Sequence, residues 1–401
     1  MRKTLYTLAL VSASLVAQAQ TDSTDTGKLI ISGYIDSYYL TAFNRPKSGN
    51  LLGADQLAGR AFDRLTDQFA LGLVQAKLAY SNRKSDLVID LTFGPNAELG
   101  NFGNTTGAFN LYRPASPYQS ALYGTSAAIK QAYFTYRLLP KLSVTVGQFG
   151  THIGYEVIDA PLNYNYSLSN LFNNGPFYHI GLKATYAFSD KASLMLGVVN
   201  NWDNLTDNNK QKSLISQLTL KPLPTLSVYL NWVGGHGDDT YLSGLVQAGT
   251  LPIAFENYQR NLFDLTTTYQ VTPKFFLGLN AAYGWYHFNT SEAAQAAAIS
   301  DLFRSTSPDW GGAALYANYA FTDVLGLGVR YEHFEDKNGV RYLRTVNNSL
   351  TITAPITLAA GKLQVKPEFR LDVAPNDYYE NASGTGTSRQ STLGVAFIYK
   401  Y

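Results

Sequence analysis

The segment Leu363-Gln364-Val365-Lys366-Pro367-Glu368-Phe369-Arg370-Leu371-Asp372-Val373 alternates without a break: odd positions are apolar and even positions polar or charged. A period of two belongs to a β-strand, whose successive side chains point to opposite faces of a sheet. Five polar residues on one face would be costly against a dry core. They fit a face that meets water while the other meets lipid, which is the pattern of a transmembrane barrel strand.

The same alternation runs from end to end. Leu87, Ile89, Leu91 and Phe93 interleave with Asp86, Asp90 and Thr92; Ala132, Phe134, Tyr136 and Leu138 with Gln131, Tyr133, Thr135 and Arg137. Ala70, Gly72, Val74, Ala76, Leu78 and Tyr80 read as one apolar face, opposite Gln75 and Lys77. Tyr178, Ile180, Leu182, Ala184, Tyr186 and Phe188 oppose His179 and Lys183, and Leu325, Leu327, Val329 and Tyr331 oppose Arg330 and Glu332. From a first strand at 31–39 to a last at 393–401, about sixteen strands are expected, an even number as in bacterial barrels.

Connections alternate in length. Short links at 81–84, 139–141, 189–191, 221–225, 272–274, 322–323 and 359–362 separate long ones such as 41–66, 94–125, 150–176, 234–258 and 289–308. Short periplasmic turns and long outer loops define an antiparallel up-and-down barrel. Descending strands end in outward aromatics (Tyr80, Tyr136, Tyr186, Phe188, Tyr269, Tyr319, Phe321, Tyr399, Tyr401), as at a membrane interface, except two that end in Leu220 and Leu358. Reversing every face would place Lys77, Lys183, Arg330, Lys366 and Arg370 in lipid, at about 2–4 kcal/mol each at mid-depth. Pro355 and Pro367 lack a ladder donor, so a bulge or weak register is expected around that hairpin.

Met1-Arg2-Lys3, an apolar run over 5–16 and Ala17-Gln18-Ala19 form an export signal with its charged, apolar and cleavage regions in order. Residues 1–19 are thus expected to be a signal peptide and 20–401 the barrel of a Gram-negative outer membrane. No later run is long and apolar enough for a transmembrane helix. Cysteine is absent, which excludes disulfides and Cys-metal sites. With 31 basic and 29 acidic residues nothing favours a nucleic-acid partner.

The expected channel-lining set is Lys77, Asp86, Asp90, Gln131, Arg137, Lys183, Asp264, Arg330, Glu332, Lys366, Glu368, Arg370 and Asp372. It is mixed in sign, and no single-sign ring stands out from the sequence. An Ala-rich stretch over 291–303 predicts a short helix, either a loop ornament or a plug folded into the mouth. G-x-S-x-G, H-E-x-x-H and G-x-x-x-x-G-K-[ST] are all missing, and no cofactor or metal is implied. Two alternatives to a channel stay open. One is a barrel hydrolase using His236 with Asp238 or Asp239; the other is a plugged structural or adhesive barrel.

Gly147-Gln148-Phe149, Gly154-Tyr155-Glu156, Asn163-Tyr164-Asn165-Tyr166-Ser167 and Gly175-Pro176-Phe177-Tyr178-His179 resemble the OmpL-like β-barrel porin family of Bacteroidetes. The resemblance implies a non-enzymatic outer-membrane porin, a passive diffusion channel for small hydrophilic solutes. It also implies a loop after the fifth strand that folds inward, with Tyr155, Glu156, Asn163, Asn165, Tyr166 and Ser167 near a constriction. Membrane lipid and solutes would be its partners. A homotrimer is suggested by analogy with other porins of this size.

Overall fold

The computed structural model describes residues 27–47, 57–102, 128–203, 205, 207, 211–237, 258–289, 293–341 and 343–401. The proposed signal peptide and Asp238 and Asp239 lie outside them. The first half of the sheet runs β1 (Lys28–Ala42), β2 (Gln68–Ser81), β3 (Ser85–Phe93), β4 (Ile129–Leu139), β5 (Leu142–Gly150), β6 (Tyr178–Ser189), β7 (Ala192–Val199), β8 (Ser213–Leu223) and β9 (Leu226–His236). The second half runs β10 (Tyr258–Gln270), β11 (Phe275–Phe288), β12 (Asp309–Ala320), β13 (Gly326–Glu335), β14 (Val346–Thr353), β15 (Ile356–Leu358), β16 (Leu363–Val373) and β19 (Arg389–Lys400). A small hairpin, β17 (Tyr379–Glu380) and β18 (Gly386–Thr387), sits in the last long loop.

Each strand pairs antiparallel with the next, and β19 pairs with β1 (Tyr34 opposite Lys400), so the sheet closes on itself. β14 and β15 both pair with β16 and form one barrel strand, which gives sixteen. Closure removes the sheet edges, so every ladder group finds a partner without water, the condition for crossing a bilayer with strands. The break between β14 and β15 falls at Ala354 and Pro355. Thr353 still faces Glu368 and Ile356 faces Val365, so the prolines cost pairing locally and leave the register intact.

Outward positions are apolar and exposed: Leu182, Leu196, Leu230, Phe263, Leu315 and Leu393 among them. Tyr136, Tyr186, Phe188, Tyr319, Phe321, Tyr399 and Tyr401 are exposed on the outer face at the short-turn end, where the sequence placed the aromatic girdle. The face reading fails in one place, on β2. Ile35 opposes Val74 and Ser37 opposes Leu71, so β2 carries one extra residue there. This bulge reverses the parity: Ala70 is buried inside and Phe69 and Leu71 face out. The Asp36 carboxylate occupies the space a side chain at Gly72 would need and accepts the Leu73 N–H, which is why a glycine stands at the bulge.

Helix α1 (Pro95–Phe102) follows β3, α2 (Asn170–Asn174) lies in the β5–β6 loop, and α3 (Ala293–Phe303) lies between β11 and β12. α3 is no surface ornament. Ile299 and Phe303 are fully buried, and Phe303 stacks on Phe288 at 5.5 Å. Around it Tyr258, Tyr286, Trp310 and Phe334 form an apolar core near the long-loop ends of β10–β13. Leu315→Arg, on the lipid face at mid-strand, should cost about 2–4 kcal/mol in urea unfolding from vesicles. An unchanged midpoint would mean that this face does not meet acyl chains.

Candidate functional site: a loop folded across the barrel

The long segment 151–177 between β5 and β6 turns into the barrel and touches strands around most of the circumference. Gly154 starts the turn with a φ of +94°, a conformation glycine adopts freely, and its N–H donates to Asp264 Oδ1 of β10 at 3.1 Å. Tyr155 stacks on Tyr316 of β12 at 4.0 Å, and Tyr164 on Phe276 of β11 at 6.1 Å. A short 3-10 turn at Ala160–Leu162 is fastened by Asn163, whose amide bonds the N–H and C=O of Val157. Ser169 caps α2, its Oγ accepting from Phe172 N–H at 3.1 Å.

An irregular backbone has many N–H and C=O groups with no ladder to join, and buried ones must be paired. Here carboxylates take the N–H groups. Glu368 accepts from Tyr166 N (2.6 Å) and Ser167 N (3.0 Å), Glu332 from Asn170 N (2.6 Å), and the loop's own Glu156 from Ser169 N (2.6 Å). Basic groups of the wall take the carbonyls. Lys366 Nζ donates to Ala160 O (2.7 Å) and Asn163 O (2.5 Å), Arg330 to Ser167 O (2.5 Å), and Arg370 to Leu168 O (2.8 Å).

The charged groups also join one another. Arg330 lies 2.7 Å from Glu156 and 3.1 Å from Glu332, and Arg370 lies 2.8 Å from Asp372 and 3.6 Å from Glu332. Arg60, from the β1–β2 loop, reaches Asp372 and Asp63, each at 2.7 Å. Arg330, Arg370, Lys366, Glu332 and Asp372 are at most 1 % exposed. The expectation of wall charges bathed in water therefore fails along β13–β16: they meet the loop, whose polar groups replace water as partners.

Elsewhere the predicted wall residues fall into smaller groups. Gln131 and Gln75 donate to Asp90 at 3.3 and 3.1 Å, and Lys130 bridges Asp90 (3.2 Å) and the loop's Asp159 (2.6 Å). Arg137 pairs with Asp86 at 2.5 Å beside the first short turn. Lys183 lies over the Phe149 ring at 4.2 Å, and Lys77, half-buried, stands opposite Asp90 in the β2–β3 ladder. Asp264 gathers Asn231, Thr266, Asn280 and Gly154.

All six loop candidates sit in this inward segment: Tyr155, Glu156, Asn163, Tyr166 and Ser167 as described, and Asn165 donating to Thr353 Oγ1 at 2.7 Å. Tyr166 also donates its hydroxyl to Asp36 at 2.9 Å. Sequence reasoning missed Arg60, Asp63, Lys130 and Asp159. Three of them lie off the strands, and Lys130 near the end of one, where period-two patterning carries little signal. Asp36 was legible in principle, as a carboxylate in an otherwise tyrosine-rich strand. His152, in the loop, donates from Nε2 to Trp232 O (3.0 Å), with the His179 ring beside it at 5.7 Å.

Residues 28–401 match the family model described as "Putative beta-barrel porin-2, OmpL-like". The chain belongs to this family. It is thereby an outer-membrane β-barrel of the porin type. No curated protein matches the sequence. Among solved structures it is similar to OmpT of Vibrio cholerae in trimer form (11 % identity, TM-score 0.56, 94 % of this chain and 100 % of that one). It is also similar to the anion-selective porin of Comamonas acidovorans (8 % identity, TM-score 0.56, 94 % and 100 %). A third is the outer-membrane channel DcaP of Acinetobacter baumannii (11 % identity, TM-score 0.54, 96 % and 100 %). At these identities the likeness is one of fold.

Arg330→Met should destabilise the barrel by about 3–5 kcal/mol, because Glu156 is left buried without its cation and Glu332 keeps only Arg370 at 3.6 Å. The check is the urea midpoint together with protease cleavage within 151–177, which should become faster. A loss under about 1 kcal/mol with an uncut loop would show that the cluster does not hold the segment.

Proposed function

We propose that the protein is a passive diffusion channel for small hydrophilic solutes, with the segment 151–177 as its constriction. The observation that carries this reading is a polar loop bonded wall to wall inside a closed sixteen-stranded barrel. A barrel of that strand number encloses an aqueous lumen unless something occupies it. The loop narrows it, so width and wall charge do the filtering. Tyr155, Glu156, Asn163, Asn165, Tyr166 and Ser167 belong to the narrowing element. Lys77, Asp86, Arg137 and Lys183, which remain part-exposed, line the passage beside it.

The chain is read as non-enzymatic, exported from a Gram-negative cell by residues 1–19 and assembled as a homotrimer. The trimer form of the Vibrio cholerae OmpT structure supports that assembly. Against a hydrolase, His152 and His179 are spent on backbone carbonyls and Thr151. A plugged, non-conducting barrel is the second reading, favoured by the dry packing of α3 and of the Arg330–Arg370 cluster.

Planar-bilayer recording of the refolded full chain separates the two. Steady conductance is expected, and deletion of residues 157–167 should raise it. Silence at every voltage would favour the plug, and conductance indifferent to the deletion would remove the loop from the role of constriction.

A further inference from the structure

The short turns carry a charge pattern that neither the sheet nor the inward loop requires. A lysine stands immediately before the ascending strand in most of them: Lys84 before Ser85 of β3, Lys141 before Leu142 of β5, Lys191 before Ala192 of β7, Lys274 before Phe275 of β11 and Lys362 before Leu363 of β16. Lys28 opens β1 at the same rim, beside the end of β19, and Arg83 adds a second charge to the β2–β3 turn. All of these lysines are exposed. The β8–β9 turn has the half-buried Lys221 instead, and the β12–β13 turn has no basic residue. Acidic groups do not cancel the pattern. In the described turns they are Asp190 and Asp323, while Asp86, one position inside, is matched by Arg137 at 2.5 Å. Even with Asp22 and Asp25, which precede β1 in the sequence, basic residues stay in excess.

Contacts fix the height of these ammonium groups. Lys141 Nζ donates to Phe188 O at 3.2 Å, and Lys274 Nζ to Phe321 O at 3.3 Å. Both phenylalanines belong to the exposed outer girdle, where their rings meet Tyr186 and Tyr319 at 5.2 and 5.1 Å. Girdle aromatics lie at headgroup level, so the ammonium groups stand beside the lipid phosphates of the leaflet at the short-turn end. We infer that this rim binds the phosphate headgroups of acidic phospholipid, such as phosphatidylglycerol, and gathers it around the barrel. Basic residues at a membrane surface attract anionic headgroups within a screening length. The distribution favours lipid over a soluble acidic partner. The lysines are spread around the circumference rather than gathered in one patch, and lipid is what encircles the barrel at that level.

This goes beyond the channel reading and holds whether or not the lumen conducts. In the test, the refolded full chain is placed in phosphatidylcholine vesicles with spin-labelled phosphatidylglycerol or spin-labelled phosphatidylcholine as probe. The motionally restricted fraction of each probe reports its association with the barrel. In about 0.1 M salt, where the screening length is about 10 Å, phosphatidylglycerol should associate at least about twofold more strongly, and the difference should fade toward about 1 M. Combining Lys28→Gln, Lys84→Gln, Lys141→Gln, Lys191→Gln, Lys274→Gln and Lys362→Gln should abolish the preference. The smaller set Lys84→Gln, Lys191→Gln and Lys362→Gln, confined to exposed turns, should lower it in part and keeps the test valid if the larger set does not fold. Lys337→Gln, whose parent side chain pairs with Glu335 at 2.9 Å on the long-loop side, should leave it unchanged. Equal association of the two lipids at low salt would leave the lysines to a soluble acidic partner and overturn the inference. A preference that survives both sets would overturn it as well, and neither result touches the channel reading.

Discussion

The interior of this barrel depends on satisfying an irregular backbone at membrane depth. A segment of 27 residues, 151–177, crosses the lumen with almost no regular structure of its own. Non-helical backbone is tolerated at that depth only where protein or trapped water supplies its hydrogen bonds. The wall meets the requirement with charge. Carboxylates at Asp264, Glu332 and Glu368 face loop N–H groups, and Lys366, Arg330 and Arg370 face loop carbonyls. Charged hydrogen bonds are shorter and stronger than neutral ones, so a few residues can hold a long segment.

That arrangement links energetics to function. Buried ion pairs contribute little net stability, because desolvation offsets the attraction, but breaking one leaves an uncompensated charge. Such a cluster acts less as glue than as a rule about geometry: the loop has one position in which Glu156, Glu332, Asp63 and Asp372 are all matched. A constriction needs a fixed position. At the long-loop end, α3 is held by different means, with Phe303 and Ile299 packed among aromatics whose burial needs no charged partner. One interior thus contains a polar latch and an apolar core.

Much of the architecture was legible because a barrel strand must satisfy lipid on one side and polar surroundings on the other. The period of two survives around the sheet apart from the β2 bulge, and short and long connections alternate strictly. Where the reading failed, local geometry had overruled the period. At Gly72 an extra residue lets Asp36 approach the backbone and turns Ala70 inward, a rearrangement that an apolar run of Ala, Gly and Val does not announce. Pro355 and Pro367 disturbed the ladder less than expected, because the break at Ala354 and Pro355 lies across from Pro367, so both missing donors fall in one place. The inward loop came from a resemblance, since a Tyr- and Asn-rich segment is equally compatible with folding inward or standing in solvent.

The sequence by itself determined which face of each strand meets lipid and hence the closed antiparallel sheet, since charges such as Arg330 and Lys366 admit only one orientation. The six residues of the inward loop came from the family resemblance and not from the pattern of the chain. Only the tertiary structure decided what the inward charges do. Whether a carboxylate faces water or a loop N–H depends on a segment about 200 residues away, as when Glu368 receives Tyr166 and Ser167. Alternation encodes a side chain's direction; its partner is set by chain closure in three dimensions.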